Sequence, residues 1–215
     1  MASIGEQFVS DTPINPDGCL FSHLDNSSHT IGLKFQTDSI FFRKGRPDMN
    51  SHIFELLNTT QDALIQKFHK EIQDIFTTMV GIDDLMHLPI QVDPRSHFAD
   101  CITSMVGFAG LFNGILSLHV PENLALLFTS SMLGMEVTEI NDDVHDALGE
   151  IANMIAGSFK HHLAQNGQEV RLSTPTIITG KEYMFTSGAI EDTLTLLYDS
   201  NGEWLLVSIV VEQND

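Results

Sequence analysis

Glu150 and Asn153 stand three residues apart in the run DALGEIANMIAG, residues 146–157. On a helix that spacing puts both side chains on one surface. A carboxylate there can grip a cation, and a carboxamide can donate and accept hydrogen bonds to a water without titrating. The same run keeps Gly149 and Gly157, each costing about 1 kcal/mol against Ala in a helix interior. At ~100° per residue, Val144, Ala147, Leu148, Ile151, Met154, Ile155 and Phe159 gather on one side. Asp146, Gly149, Glu150, Asn153, Gly157 and Lys160 gather on the other. With Ala152 and Ala156 at its edge, that polar side is predicted to be low-lying, open to the close approach of another macromolecule. The competing reading is a solvated helix face on which the glycines have no role.

The elements that must position this surface follow from periodicity and turn residues. The helix is expected to start near residues 141–142, with Asp142 and Asp143 at its positive end, and to run to about 165. PENLALLFTSSMLGM, 121–135, predicts a preceding helix with Pro121 at its first position. An earlier helix is expected from Ser51 to Met79, ending at Gly81 and interrupted at 58–60. Strands are expected at 88–93, 101–110, 111–120, 170–180, 192–200 and 203–211. Turns are expected at 110–113 and at 200–202, the latter as a tight hairpin. This order implies an α+β domain: a largely antiparallel sheet with long helices packed on one face. A shift in composition near 48–51 divides the chain into an N-terminal extension of uncertain order, 1–50, and a domain at 51–215.

Composition narrows the partners. Among 215 residues, 29 are acidic and 10 are Lys or Arg, a formal charge of −19. Nucleic acid and anionic membrane surfaces are disfavoured, because both need clustered cations. No apolar run is long enough to span a bilayer and the N-terminus has no signal-peptide pattern, so a cytoplasmic protein is expected. Cys19 and Cys101 are read as reduced thiols. No Walker loop or dinucleotide fingerprint is present. His161 and His162 lack further ligands at metal spacing, and end-of-helix charge or plain exposure explains them. Met132, Met135, Met154 and Met184 are expected to fill the core.

DALGEIANMIAGSFK resembles the signature helix of the CheX/CheC/FliY family of chemotaxis phosphatases, its CheX branch most of all. The family motif, Glu-x-x-Asn with Asp before it and Gly four residues after, falls on Asp146, Glu150, Asn153 and Gly157. PENLALLFTSSMLGMEVTEINDDVHDALGEIANMIAG, FTTMVGI and STPTIITGKEY extend the likeness over roughly 60–215. The resemblance implies hydrolysis of the aspartyl phosphate on a CheY-type receiver domain. Asn153 would orient the water and Glu150 would pair with the receiver's active-site lysine. Asp146, Gly149, Gly157 and Lys160 would meet the partner. It also implies no metal or cofactor of the chain's own, with Mg2+ carried by the receiver, and a homodimer joined through sheet edges. Some members repeat the motif on the first long helix. Here Glu71 is followed by Asp74 instead of Asn, so one active site per chain is expected and Glu71 is read as part of a solvated face. A non-catalytic module that docks a receiver or flagellar switch protein, or a dimeric scaffold, is the alternative.

Overall fold

A computed structural model describes residues 30–35, 38–43, 52–89, 92, 95–164, 169–186 and 193–213. Within the expected extension, β1 (Thr30–Phe35) and β2 (Asp38–Arg43) pair as an antiparallel hairpin. The expected boundary at 48–51 and the proposed cap Ser51 lie outside the described residues. The first helix is broken where its turn residues fall. α1 spans His52–Leu56 and α2 spans Gln61–Ile75, with Asn58 between them at φ 48°. Thr60 caps α2 by accepting from the Ala63 amide at 3.3 Å. α2 continues as a wider π turn, Phe76–Val80, and Gly81 stops it in the left-handed region at φ 76°. Glycine pays no Cβ penalty there.

The main sheet has seven strands in the order β3-β8-β9-β5-β4-β6, with β7 also paired to β4. All its pairings are antiparallel. β4 (Arg95–Ala109) and β5 (Phe112–Pro121) form one hairpin. β8 (Thr193–Ser200) and β9 (Glu203–Gln213) form another. Its turn residues Asn201 and Gly202 have φ 54° and 78°, the sign that a tight two-residue hairpin requires. Two strands depart from expectation. The strand expected at 88–93 is β3, Met86–Leu88. The run 170–180 is not one strand: β6 (Arg171–Leu172) and β7 (Thr176–Thr186) are separated by 173–175. Pro175 explains the break, since it has no amide hydrogen for the ladder.

α3 (Glu122–Leu133) and α4 (Asp142–Leu163) complete the helical layer. Phe68, Ile72 and Phe76 from the first helix join Phe128, Leu148, Ile155 and Phe159 over Ile102, Leu116, Leu118, Val207 and Ile209 of the sheet. β9 lies between β8 and β5. Its apolar run is therefore a central strand buried on both faces, with Leu205 and Val207 toward the helices and Trp204 and Leu206 in a second cluster with Phe98 and Leu197.

A histidine is sealed beneath this second face. The His119 ring stacks on Phe98 with centroids 4.2 Å apart. Its Nδ1 lies 2.7 Å from Thr103 Oγ1, which lies 2.6 Å from the Tyr183 hydroxyl. Burial lowers the pKa of His119 from 6.5 to about 3. Between those values the unfolded chain binds a proton that the folded chain refuses. The contribution is fully present above pH 6.5 and is lost as pH falls toward 3, by up to about 1.4 kcal/mol per unit. We predict that the stability difference between wild type and His119→Gln shrinks on that slope from pH 6 to 4, measured by chemical denaturation. An unchanged difference would mean that the imidazole is not buried in its neutral form.

Candidate functional site

α4 starts where its cap places it: Asn141 Oδ1 accepts from the Val144 amide at 3.2 Å, and Asp142 and Asp143 occupy the first turn. Val144, Ala147, Leu148, Ile151, Ile155 and Phe159 are buried, as the periodicity predicts, and Met154 is half-buried. Asp146, Glu150, Asn153, Gly157 and Lys160 follow one another at four- and three-residue steps, a single stripe along the helix. Asp146 and Glu150 are exposed, and Asn153, Gly157 and Lys160 are half-buried. Among the described residues, no side-chain hydrogen bond or ion pair holds Glu150 or Asn153.

The low surface predicted for this helix is narrower in the structure. Gly149 is buried: a Cβ at this position would meet Pro175 Cβ at 3.5 Å and Cγ at 3.7 Å. It packs against the chain's own segment 173–175 and does not open toward a partner. Ala152 and Ala156 are fully buried rather than at an open edge. Gly157 alone fits the expectation, since a Cβ there would meet nothing within 4 Å.

The segment that covers Gly149 is a bulge-like interruption on one edge of β4, where 173–175 lie opposite Val106 and Gly107 between the pairs Phe108 with Leu172 and Met105 with Thr176, and it is fastened to the sheet. The Ser173 amide donates to the Gly107 carbonyl at 2.9 Å, and the Gly107 amide donates back to Ser173 Oγ at 2.9 Å. Ser173 Oγ donates in turn to the Thr174 carbonyl at 2.9 Å. Thr174, Pro175 and Thr176 remain exposed. Reading 170–180 as one strand hid this interruption; the proline within it was the available signal.

Glu71 is not on a solvated face. Its Oε2 accepts from Ser158 Oγ at 2.6 Å and lies 2.9 Å from His162 Nε2. The His162 side chain is only 8% exposed. Its ring packs edge-on to Phe68 and tilted against Phe159. The pair is therefore a tie between α2 and α4. Asp74 is exposed and, among the described residues, its side chain has no such partner, while His161 is exposed as expected. Met135 and Met184 are exposed too, contrary to a core role; Met132 and Met154 are packed partly against the core. Among the described residues no group of His, Cys, Asp or Glu could hold a metal ion, and no helix is long and apolar enough to cross a membrane.

Residues 102–195 match the family described as chemotaxis phosphatase CheX. That match spans 94 of the 215 residues, and over them the chain is similar to CheX. It is 27% identical over 127 residues to the CheY-P phosphatase CheX of Thermotoga maritima, covering 59% of this chain and 79% of that protein. Its fold is similar to that of chemotaxis protein CheX from Vibrio vulnificus, with a TM-score of 0.61, 23% identity, and coverage of 70% of this chain and 99% of that one. It is also similar to CheX of Borrelia burgdorferi, solved in complex with CheY, BeF3 and Mg2+, with a TM-score of 0.52, 15% identity, and coverage of 69% and 97%. The family match begins inside β4 and ends inside β8, so it contains the stripe, its helix and the segment 173–175.

The two glycines are thereby separated by what surrounds them. Gly149→Ala meets only ordinary contacts and Gly157→Ala meets open space, so each should gain up to about 1 kcal/mol from helix propensity. Thermal unfolding should show both variants folded and at least as stable as wild type. A large loss for Gly157→Ala would show that its surroundings are not open.

Proposed function

We propose that the chain hydrolyses the aspartyl phosphate of a CheY-type receiver domain, and that the α4 stripe performs the chemistry. The supporting observation is the placement of Glu150 and Asn153 side by side on an outward stripe of a CheX-like fold, beside the opening at Gly157. An acyl phosphate is already activated. What remains is to hold a water in line with phosphorus and to stabilise the spreading charge. The water oxygen bonds to phosphorus, the bond from phosphorus to the acyl oxygen breaks, and the aspartate leaves as a carboxylate alongside inorganic phosphate.

Asn153 suits the water-orienting role, since its carboxamide accepts from the water and can donate toward a phosphoryl oxygen. A carboxylate in its place would repel the phosphoryl group. Glu150, exposed and without a side-chain partner among the described residues, suits a charge-assisted contact with the receiver's lysine. Asp146 and Lys160 extend the stripe at either end, and Gly157 leaves room for the receiver backbone. Gly149 has no direct contact role in this reading. Mg2+ belongs to the receiver, and the chain supplies no metal ligands to it. Receivers of this kind place the protein in the cytoplasm.

Loss of phosphate from a purified phosphorylated CheY-type receiver tests the reading. Wild type should accelerate it, and Asn153→Ala should lower kcat by roughly a hundredfold or more without changing the unfolding temperature. Tight binding of the phosphorylated receiver without faster phosphate loss would sink the enzymatic reading in favour of a docking module.

We also propose a homodimer joined through the outer edge of β7. Among the described residues no further strand pairs with β7 beyond β4, and exposed ladders invite pairing. Sedimentation should show a dimer for wild type. Thr179→Lys, which puts a charge on an exposed position of this strand, should shift it toward monomer. A monomeric wild type at micromolar concentration would overturn this assignment.

A further inference from the structure

The stripe on α4 is one helix wide, and a domain-sized partner covers more than that. A stable interface takes about 800 Å² from each side. A receiver that brings an aspartyl phosphate to Asn153 must therefore rest on whatever flanks α4 as well. On the Gly149 flank, the neighbour is the bulged segment 173–175 between β6 and β7. We propose that this segment is the second wall of the docking surface and that Pro175 is a specificity-determining contact for the phosphorylated receiver. The inference rests on the function proposed above.

Three observations support it. The first is position. Pro175 Cβ and Cγ lie 3.5 and 3.7 Å from where a Gly149 Cβ would be. Gly149 directly precedes Glu150 and is one helical turn, about 6 Å along the axis, from Asn153. The proline ring therefore sits against the helix on the flank of the stripe, beside the residue that precedes Glu150. The second is rigidity. The reciprocal bonds between Ser173 and Gly107 fix the base of the segment to β4, and proline fixes its own φ. A contact built on an already ordered segment loses little entropy on binding. The third is exposure. Thr174, Pro175 and Thr176 all face solvent although the segment packs on the helix. An apolar ring between two threonines fits a partner surface of mixed apolar and backbone-polar character.

The stripe is also asymmetric. Near Gly149 it meets a wall, while at Gly157 a Cβ would find open space. A receiver can pass backbone over the Gly157 end but must fit its shape to the Pro175 end.

The test uses the full chain and a purified CheY-type receiver. KM and kcat are measured with the phosphorylated receiver, and Kd with the receiver activated by beryllofluoride and Mg2+. Pro175→Arg and Thr174→Arg should each raise KM and Kd about tenfold, the loss of one strong interface contact, with kcat within twofold of wild type. Asn153→Ala should instead lower kcat. Thermal unfolding checks that the variants are folded, and Thr174→Arg serves if Pro175→Arg is not, since no atom of Thr174 is among those nearest the Gly149 position. If Asn153→Ala abolishes turnover while both arginine variants keep KM and Kd within twofold, the docking wall is overturned and the phosphatase reading stands. If wild type does not speed phosphate loss, the phosphatase reading fails and this inference fails with it; if Asn153→Ala leaves turnover intact, the chemistry is not on the α4 stripe and the docking wall beside it is overturned.

Discussion

Val144, Leu148, Ile151, Ile155 and Phe159 of α4 are each fully removed from water against the sheet and its neighbouring helices. Burying each such side chain contributes roughly 1.5–3 kcal/mol relative to exposure. Turning the helix by one residue would expose part of this face and push Asn153 inward, at the added cost of an unsatisfied amide. The direction of the outward stripe is thus set by the apolar side chains behind it. Ala152 and Ala156, buried on the flank of that face, keep the helix close to what it packs on.

Two glutamates on the same helical layer show how context assigns a role. The Glu71 carboxylate is satisfied within the chain, by a serine hydroxyl and a histidine of α4. The Glu150 carboxylate faces water without such donors among the described residues. Residue type and helical spacing are alike at both places; what differs is the neighbouring element. α2 is thereby committed to holding α4, and the outward chemistry is concentrated on one helix.

Much of this arrangement was legible in the sequence because it depends on local period and local turn chemistry. The α4 periodicity separated Ile151 and Ile155 from Glu150 and Asn153. The break at 58–60, the left-handed stop at Gly81 and the hairpin at Asn201 and Gly202 were written in their residue types. The failures share one cause. A helical wheel gives the direction of a side chain but not how far a distant segment reaches around the flank, so Gly149, Ala152 and Ala156 were placed outside. The covering of Gly149 depends on Pro175, and the apolar run 170–180 concealed the interruption that carries it. The ties of Glu71 to Ser158 and His162 cross the whole helical layer and have no local signature. The exposure of Met135 and Met184 likewise reflects where the layers end, which composition does not encode.

The sheet is assembled from two hairpins, β4 with β5 and β8 with β9, joined by the ladder between β5 and β9. Each hairpin closes over a short turn, at small entropic cost. The ladder that joins them closes over the long connection that contains α3, α4, β6 and β7, and such non-local closures are the slow ones. The functional helix belongs to that connection. Its seat is the β4–β5 hairpin, with α2 and α3 beside it, and all of these precede it in the chain. The helix that would do the chemistry can therefore find its seat before the slow ladder closes.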